Sequence, residues 1–167
     1  MRVRLEEAAD HTAVYALNWA AFGTRVEADL VNTLREKPSA IVSLVADLDG
    51  QVVGHIMFSE VMLAELPAVK VAGLTPMAVA PKHQRTGIGS ALVREGLKRC
   101  EQLGYQAVVV VGHAKYYPRF GFVLAARHGL RCEYDVPQDA FMVVELQPRS
   151  LQSMHGLVRY DKLFADI

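Results

Sequence analysis

The chain has 167 residues, 51% of them apolar and 22% charged, with Lys+Arg and Asp+Glu equal at 18. Such a composition belongs to a globular domain that buries roughly 70% of its unfolded surface, so residues 1–167 are expected to form one domain. A balanced charge gives no global attraction to nucleic acid or to an anionic membrane, and neither is expected as a partner.

Cys100 and Cys132 make no metal pattern and no disulfide framework, which fits a reducing compartment. The Met1–Glu7 segment lacks the apolar core of a signal peptide, and the longest apolar runs are too short for a bilayer. The expected setting is the cytoplasm.

In chain order, Val3 and Leu5 alternate with Arg2, Arg4 and Glu6, predicting a short edge strand. Asp10 suits the N-cap of a helix through Val14, Leu17, Trp19 and Phe22, stopped by Gly23. Thr24 to Glu27 fits a capping box opening a second helix, with Leu30, Val31 and Leu34 on one face before Pro38. Two successive helices make a natural cleft wall. Ile41–Ala46 and Val52–Phe58 are strand-like runs flanking Asp49-Gly50, a strong hairpin signal. A loop around Glu65-Leu66-Pro67 leads to a third run, Val69–Leu74, and three antiparallel strands are expected.

The stretch Leu74–Leu92 reads as an apolar strand, a polar turn, then two glycines opening an amphipathic helix. Pro76 cannot donate to a sheet ladder, so it marks a bulge or a place where pairing stops. The first N–H groups of a helix lack internal partners and sit at its positive end. Gly87 and Gly89 let a ligand approach that backbone, which suits an anion such as a pyrophosphate. Along the helix, Gly89, Leu92, Val93, Gly96, Cys100 and Leu103 fall on one arc, and Gly96 implies close approach to a sheet. Gly104 supplies the stop.

Gln106–Val111 is a β-branched run expected to be covered on both faces, completing a βαβ unit. Phe141–Leu146 predicts another strand, and His155–Tyr160 a short final one.

A dinucleotide-binding GxGxxG would need a third glycine where Leu92 stands, and the Gly-Lys-Ser/Thr of a Walker loop is absent. GxSxG and HExxH are also missing. Val79-Ala80-Pro81 followed by Gln84-Arg85-Thr86-Gly87-Ile88-Gly89 resembles motif A of the GNAT superfamily of acetyl-CoA-dependent N-acetyltransferases, Q/R-x-x-G-x-G/A. Tyr117-Pro118-Arg119-Phe120-Gly121-Phe122 resembles the second landmark of that superfamily, a tyrosine ahead of a Gly-Phe pair. Pro76 before Met77-Ala78-Val79, with Gln84 leading the motif, is most similar to the predicted acetyltransferases related to YhbS.

The resemblance implies an α/β (α+β) GNAT-like fold, a central, mostly antiparallel mixed sheet flanked by helices and splayed to admit acetyl-CoA. It implies that backbone N–H groups of Arg85, Thr86, Gly87, Ile88, Gly89 and Ser90, in the motif led by Gln84, hold the pyrophosphate. Met77, Ala78 and Val79 would pair with the pantetheine arm, with backbone near Met77 on the acetyl carbonyl, where fixed donors stabilise developing negative charge. Tyr117 would be the general acid toward the departing thiolate; a packing tyrosine is the bland alternative. Many members carry an asparagine seven residues before that tyrosine, where this chain has Val110.

The implied function is direct acetyl transfer from acetyl-CoA to a primary amine on a small molecule or peptide, with a base, directly or through water, taking the amine's proton. A non-catalytic acyl-CoA-binding module and a transferase of larger acyl groups are the alternatives. Glu27 is a tempting base, but the capping box accounts for it. Glu60 fits a solvated strand end, and Tyr116 a core or pocket wall. His55, His83 and His113 are not spaced as a metal set, and no metal is expected. Lys82, Arg85 and Arg119 are available to phosphates, and a homodimer is left open.

Overall fold

The apolar runs pair into one mixed sheet in a computed structural model that describes residues 1–166. In chain order the elements are β1 (Arg2–Leu5), α1 (His11–Phe22), α2 (Val26–Arg35), β2 (Ala40–Leu48), β3 (Gln51–Leu63), β4 (Val71–Val79), α3 (Ile88–Gln102) and β5 (Ala107–Val111). They are followed by β6 (Val123–Leu124), β7 (Leu130–Cys132), β8 (Phe141–Glu145) and β9 (Gly156–Arg159). The main path runs β1-β2-β3-β4-β5-β8-β6, with β9 joining the end of β3 and β7 beside β9. Pairing is antiparallel except between β4 and β5 and between β7 and β9. This is the expected mostly antiparallel mixed sheet flanked by helices. Among the described residues no helix is long and apolar enough to cross a membrane.

The local signals explain most of the path. Asp49 (φ 52°) and Gly50 (φ 86°) both take the left-handed conformation that a tight hairpin between β2 and β3 demands. The β-branched residues of β5 are buried on both faces from Ala107 to Val110, as a central strand between covered faces requires. The helix α3 packs Ile88, Leu92, Val93, Gly96 and Cys100 against the sheet. A Cβ at Gly96 would stand 2.2 Å from Cε2 of the fully buried Phe58, so the helix lies where only glycine fits. Leu103, expected on that arc, is half exposed, because α3 ends at Gln102 and the chain turns at Gly104 (φ 87°).

Two expected caps are built differently. The helix α1 does begin after Asp10, yet the Asp10 carboxylate turns back, accepting from the Glu7 N–H (2.8 Å) and from both terminal nitrogens of Arg4. The Thr24–Glu27 capping box does not form. Arg25 is the N-cap of α2, and Thr24 Oγ1 accepts from the Val26 N–H while donating to Glu27 Oε2 at 3.1 Å. The carboxylate therefore never reaches the backbone N–H that a capping box needs. Trp19 and Phe22, predicted as part of the first helix, lie on it but are exposed at 42% and 41%.

Between α1 and the sheet a polar chain is enclosed. Arg35 Nη2 donates to Glu6, and the Ser43 hydroxyl also donates its one proton there. The 2.9 Å contact between Ser43 Oγ and His55 Nε2 must then have the imidazole as donor, so Nδ1 carries no proton and accepts from Asn18 Nδ2 at 3.4 Å. Burial, opposed by the nearby Glu6 charge, lowers the His55 pKa to about 4, consistent with this neutral ring.

Candidate active site

The sheet opens where the sequence placed its proline. Between β3 and β4 the register slips: Ile56 faces Met77, but Phe58 faces Leu74, so Thr75 and Pro76 together oppose Met57. On its other edge β4 pairs with β5 only from Val71 to Gly73, opposite Ala107 to Val109. Beyond Gly73 the two parallel strands separate. Among the described residues the backbone of β4 from Leu74 onward has no strand partner on that side, and a cleft of about 740 Å³ occupies the gap. This size lies within the range of small-molecule sites.

The turn after β4 forms one end of the lining. Arg85 (φ 62°) and Gly87 (φ 90°) are both left-handed, and no side chain approaches the position of a Cβ on Gly87, so its glycine answers to conformation rather than space. Among the described residues, no backbone acceptor takes the N–H groups of Arg85, Thr86 or Gly87. The N–H groups of Ile88, Gly89 and Ser90 stand in the first turn of α3, with no partner one helical turn back. Successive free N–H groups around left-handed residues at a helix start form a nest for an anion. The Gln84 amide donates to Val79 O (3.1 Å), tying the turn to the end of β4 rather than addressing a ligand. Thr86 Oγ1 donates to His83 O and closes the same turn.

Of the sequence-predicted residues, Met77, Val79, Gln84, Arg85, Gly87, Gly89, Ser90 and Tyr117 line the cleft. Ala78 and Ile88 are buried in the core and Thr86 lies outside the lining, so at these positions only the backbone is available. Lys82 is exposed and away from the cleft, and Glu60 is turned to the Tyr105 hydroxyl on another face. His113 and Arg119 join the lining.

Tyr117 is set by its neighbours. Gly112, just past β5, leaves the space its ring fills: a Cβ there would stand 2.3 Å from Tyr117 Cε2. Edge-on contacts with Tyr116 (5.1 Å between centroids) and Phe122 (5.5 Å) hold the ring. Burial, reinforced by Tyr116, pushes the phenol up to about 12, so it keeps its proton at neutral pH. Tyr116 is the cleft-wall aromatic: its hydroxyl lies 3.4 Å from Ser90 Oγ, and the Arg119 guanidinium covers its ring at 4.4 Å. The two helices expected as a cleft wall do contribute to it: Phe22 from α1 and Glu27 from α2 face the cleft, although the capping-box spacing had accounted for Glu27 without it. Among the described residues, Glu27 is the one carboxylate in a lining that also holds Arg85, Arg119 and His113.

A strand freed at a proline bulge, a run of free N–H groups at the start of the next helix and a buried phenol surround one cleft in a splayed α/β sheet. The chain belongs to the acetyltransferase (GNAT) family, whose sequence profile matches residues 11–122, and it is an acyltransferase.

It is 39% identical over 165 residues to the uncharacterized N-acetyltransferase YhbS of Escherichia coli strain K12, covering 98% of each chain. It is 35% identical over 154 residues to YjhQ of the same strain, covering 90% of this chain and 85% of that one. In structure it is similar to YhbS from E. coli in complex with CoA, with a TM-score of 0.94 at 38% identity over 98% of this chain and 91% of that one. A GNAT family acetyltransferase from Brucella melitensis in complex with acetyl-CoA gives a TM-score of 0.81 at 32% identity, over 98% and 97%.

Proposed function

We propose that the chain transfers the acetyl group of acetyl-CoA directly to a primary amine, with residues 1–167 acting as one catalytic domain. The observation that carries this is the parting of β4 from β5 after Gly73, ending at the free N–H groups of residues 85–90. Those groups would hold the pyrophosphate, and the Cβ-free space at Gly89, 3.0 Å from the Tyr116 hydroxyl, keeps the approach open. The unpaired edge of Met77-Ala78-Val79 suits an extended arm bonded as an added strand. Two similar proteins seen with CoA or acetyl-CoA support the same cosubstrate here.

Coenzyme A supplies the activated thioester, and the protein positions and polarises. Backbone N–H beside the Pro76 bulge, assigned to Met77, stabilises negative charge on the carbonyl oxygen as the amine attacks; losing such a donor costs about 3–4 kcal/mol. The C–N bond forms as the C–S bond breaks; the Tyr117 phenol gives its proton to the leaving sulfur and recovers one from the proton that the nitrogen sheds, directly or through water. No covalent enzyme intermediate is required.

Calorimetry with coenzyme A and thiol release from acetyl-CoA across a panel of amines test the reading. Tyr117→Phe keeps the ring contacts and removes the proton; turnover should fall roughly 10²- to 10⁴-fold with coenzyme A affinity unchanged. Equal turnover would remove Tyr117 from the chemistry, and coenzyme A binding without transfer to any amine would leave a binding module.

A further inference from the structure

Resting on that reading, we infer that Glu27 recognises the acceptor by charge. The site then takes an ammonium carried on a body with an apolar face, and disfavours an amine flanked by a carboxylate.

The first observation is placement. Glu27 is half-buried in the first turn of α2 and lines the cleft beside Phe22, which is 41% exposed at the end of α1. The second is that no cationic side chain pairs with it. Among the described residues it makes no ion pair. Its neighbour Arg25 instead lies over the Trp19 ring at 4.3 Å. The third is orientation: Thr24 Oγ1 donates to Oε2, and because that hydroxyl also accepts the Val26 N–H, its proton is committed to the carboxylate. Oε1 is left without a protein donor among the described residues.

The start of α2 favours any carboxylate, so the helix dipole alone accounts for an acid in this turn. It does not account for an acid left without a partner in a cleft. Asp29, in the same turn, accepts from the Tyr15 hydroxyl at 2.8 Å and lies outside the lining. An acceptor ammonium would supply the missing N–H donors as charge-assisted bonds, with Phe22 covering its carbon chain. The amine's proton then passes to water before attack, and Glu27 acts in recognition.

Phenethylamine and phenylalanine make a matched pair of probes, sharing ring and amine and differing by a carboxylate beside the nitrogen. Each is titrated by calorimetry onto the protein saturated with coenzyme A, for the parent and for Glu27→Gln. The parent should bind phenethylamine at least about tenfold more tightly than phenylalanine, after discounting the repulsion for partial exposure. Glu27→Gln should lose about tenfold for phenethylamine, bring the two ligands within a few-fold of each other, and leave coenzyme A affinity unchanged. With acetyl-CoA the change should appear in KM for the amine more than in kcat.

Failure to load coenzyme A would sink the proposed function itself. Normal loading with no binding of phenethylamine, with equal binding of the two probes by the parent, or with an unchanged preference in Glu27→Gln, overturns the role of Glu27.

Discussion

Replacing Gly96 by alanine separates two opposed effects whose sizes are known. Within an exposed helix the change would stabilise by about 1 kcal/mol through propensity alone. Here the added methyl would meet Cε2 and Cζ of Phe58 at 2.2 and 2.5 Å. Phe58 is fully buried between α3 and the sheet, in a cluster with Leu44, Leu92 and Val93. To restore ordinary contact the ring or the helix must move by more than 1 Å, and overpacking of that kind costs about 1–3 kcal/mol.

With a clash this short the upper part of the range applies, and a net loss of about 1–2 kcal/mol is expected. In urea unfolding, with a slope of about 2 kcal/mol per molar, the midpoint should fall by roughly 0.5–1 M. Phe58→Leu in the same chain should absorb part of the loss, giving a coupling of about 1 kcal/mol in a double-mutant cycle. A Gly96→Ala protein as stable as its parent, or more so, would refute the close-approach argument.

Acid should weaken the fold through His55. In the folded chain its pKa is held at about 4 by burial, against an unfolded value near 6.5, so between these limits the unfolded chain binds a proton that the folded one refuses. Stability should therefore fall as pH drops from about 6.5 to about 4, by about 3 kcal/mol from this residue. Chemical denaturation at a series of pH values checks it: His55→Gln should flatten the slope, and identical slopes for the two proteins would discard His55 as the cause. Gly89→Asp puts a Cβ 3.0 Å from the Tyr116 hydroxyl and a negative charge beside the nest, and coenzyme A affinity should drop at least about 100-fold with little change in thermal midpoint. Unchanged affinity would remove this turn from cofactor binding.

The features legible in the sequence are those whose physical cause is local. Asp49-Gly50 announces its hairpin because two successive left-handed residues leave few alternatives, and Pro76 announces a break in pairing because it lacks a donor. The order Gly87, Gly89, Gly96 marks a free helix start and then a close contact, each required by backbone space. The two- and three-residue strands β6 and β7 carry no periodicity, since they exist only by pairing with β8 and β9.

The part of Glu27 in the proposed acceptor wall was harder to read, for a different reason. Thr24 and Glu27 have the spacing of a capping box, and sequence cannot tell whether a carboxylate at that spacing reaches back to a backbone N–H or across to a hydroxyl. Those outcomes differ by a rotation of one side chain, and chemically they are opposites. In the first the charge is spent on the helix; in the second it faces the cleft. The same holds for His55, an ordinary strand residue until Glu6, Ser43 and Asn18 arrive from three other segments to fix its tautomer. The proposed cofactor side is written in backbone geometry, which short motifs encode. The proposed acceptor side rests on two side chains, Phe22 from α1 and Glu27 from α2, and is decided only once those helices pack.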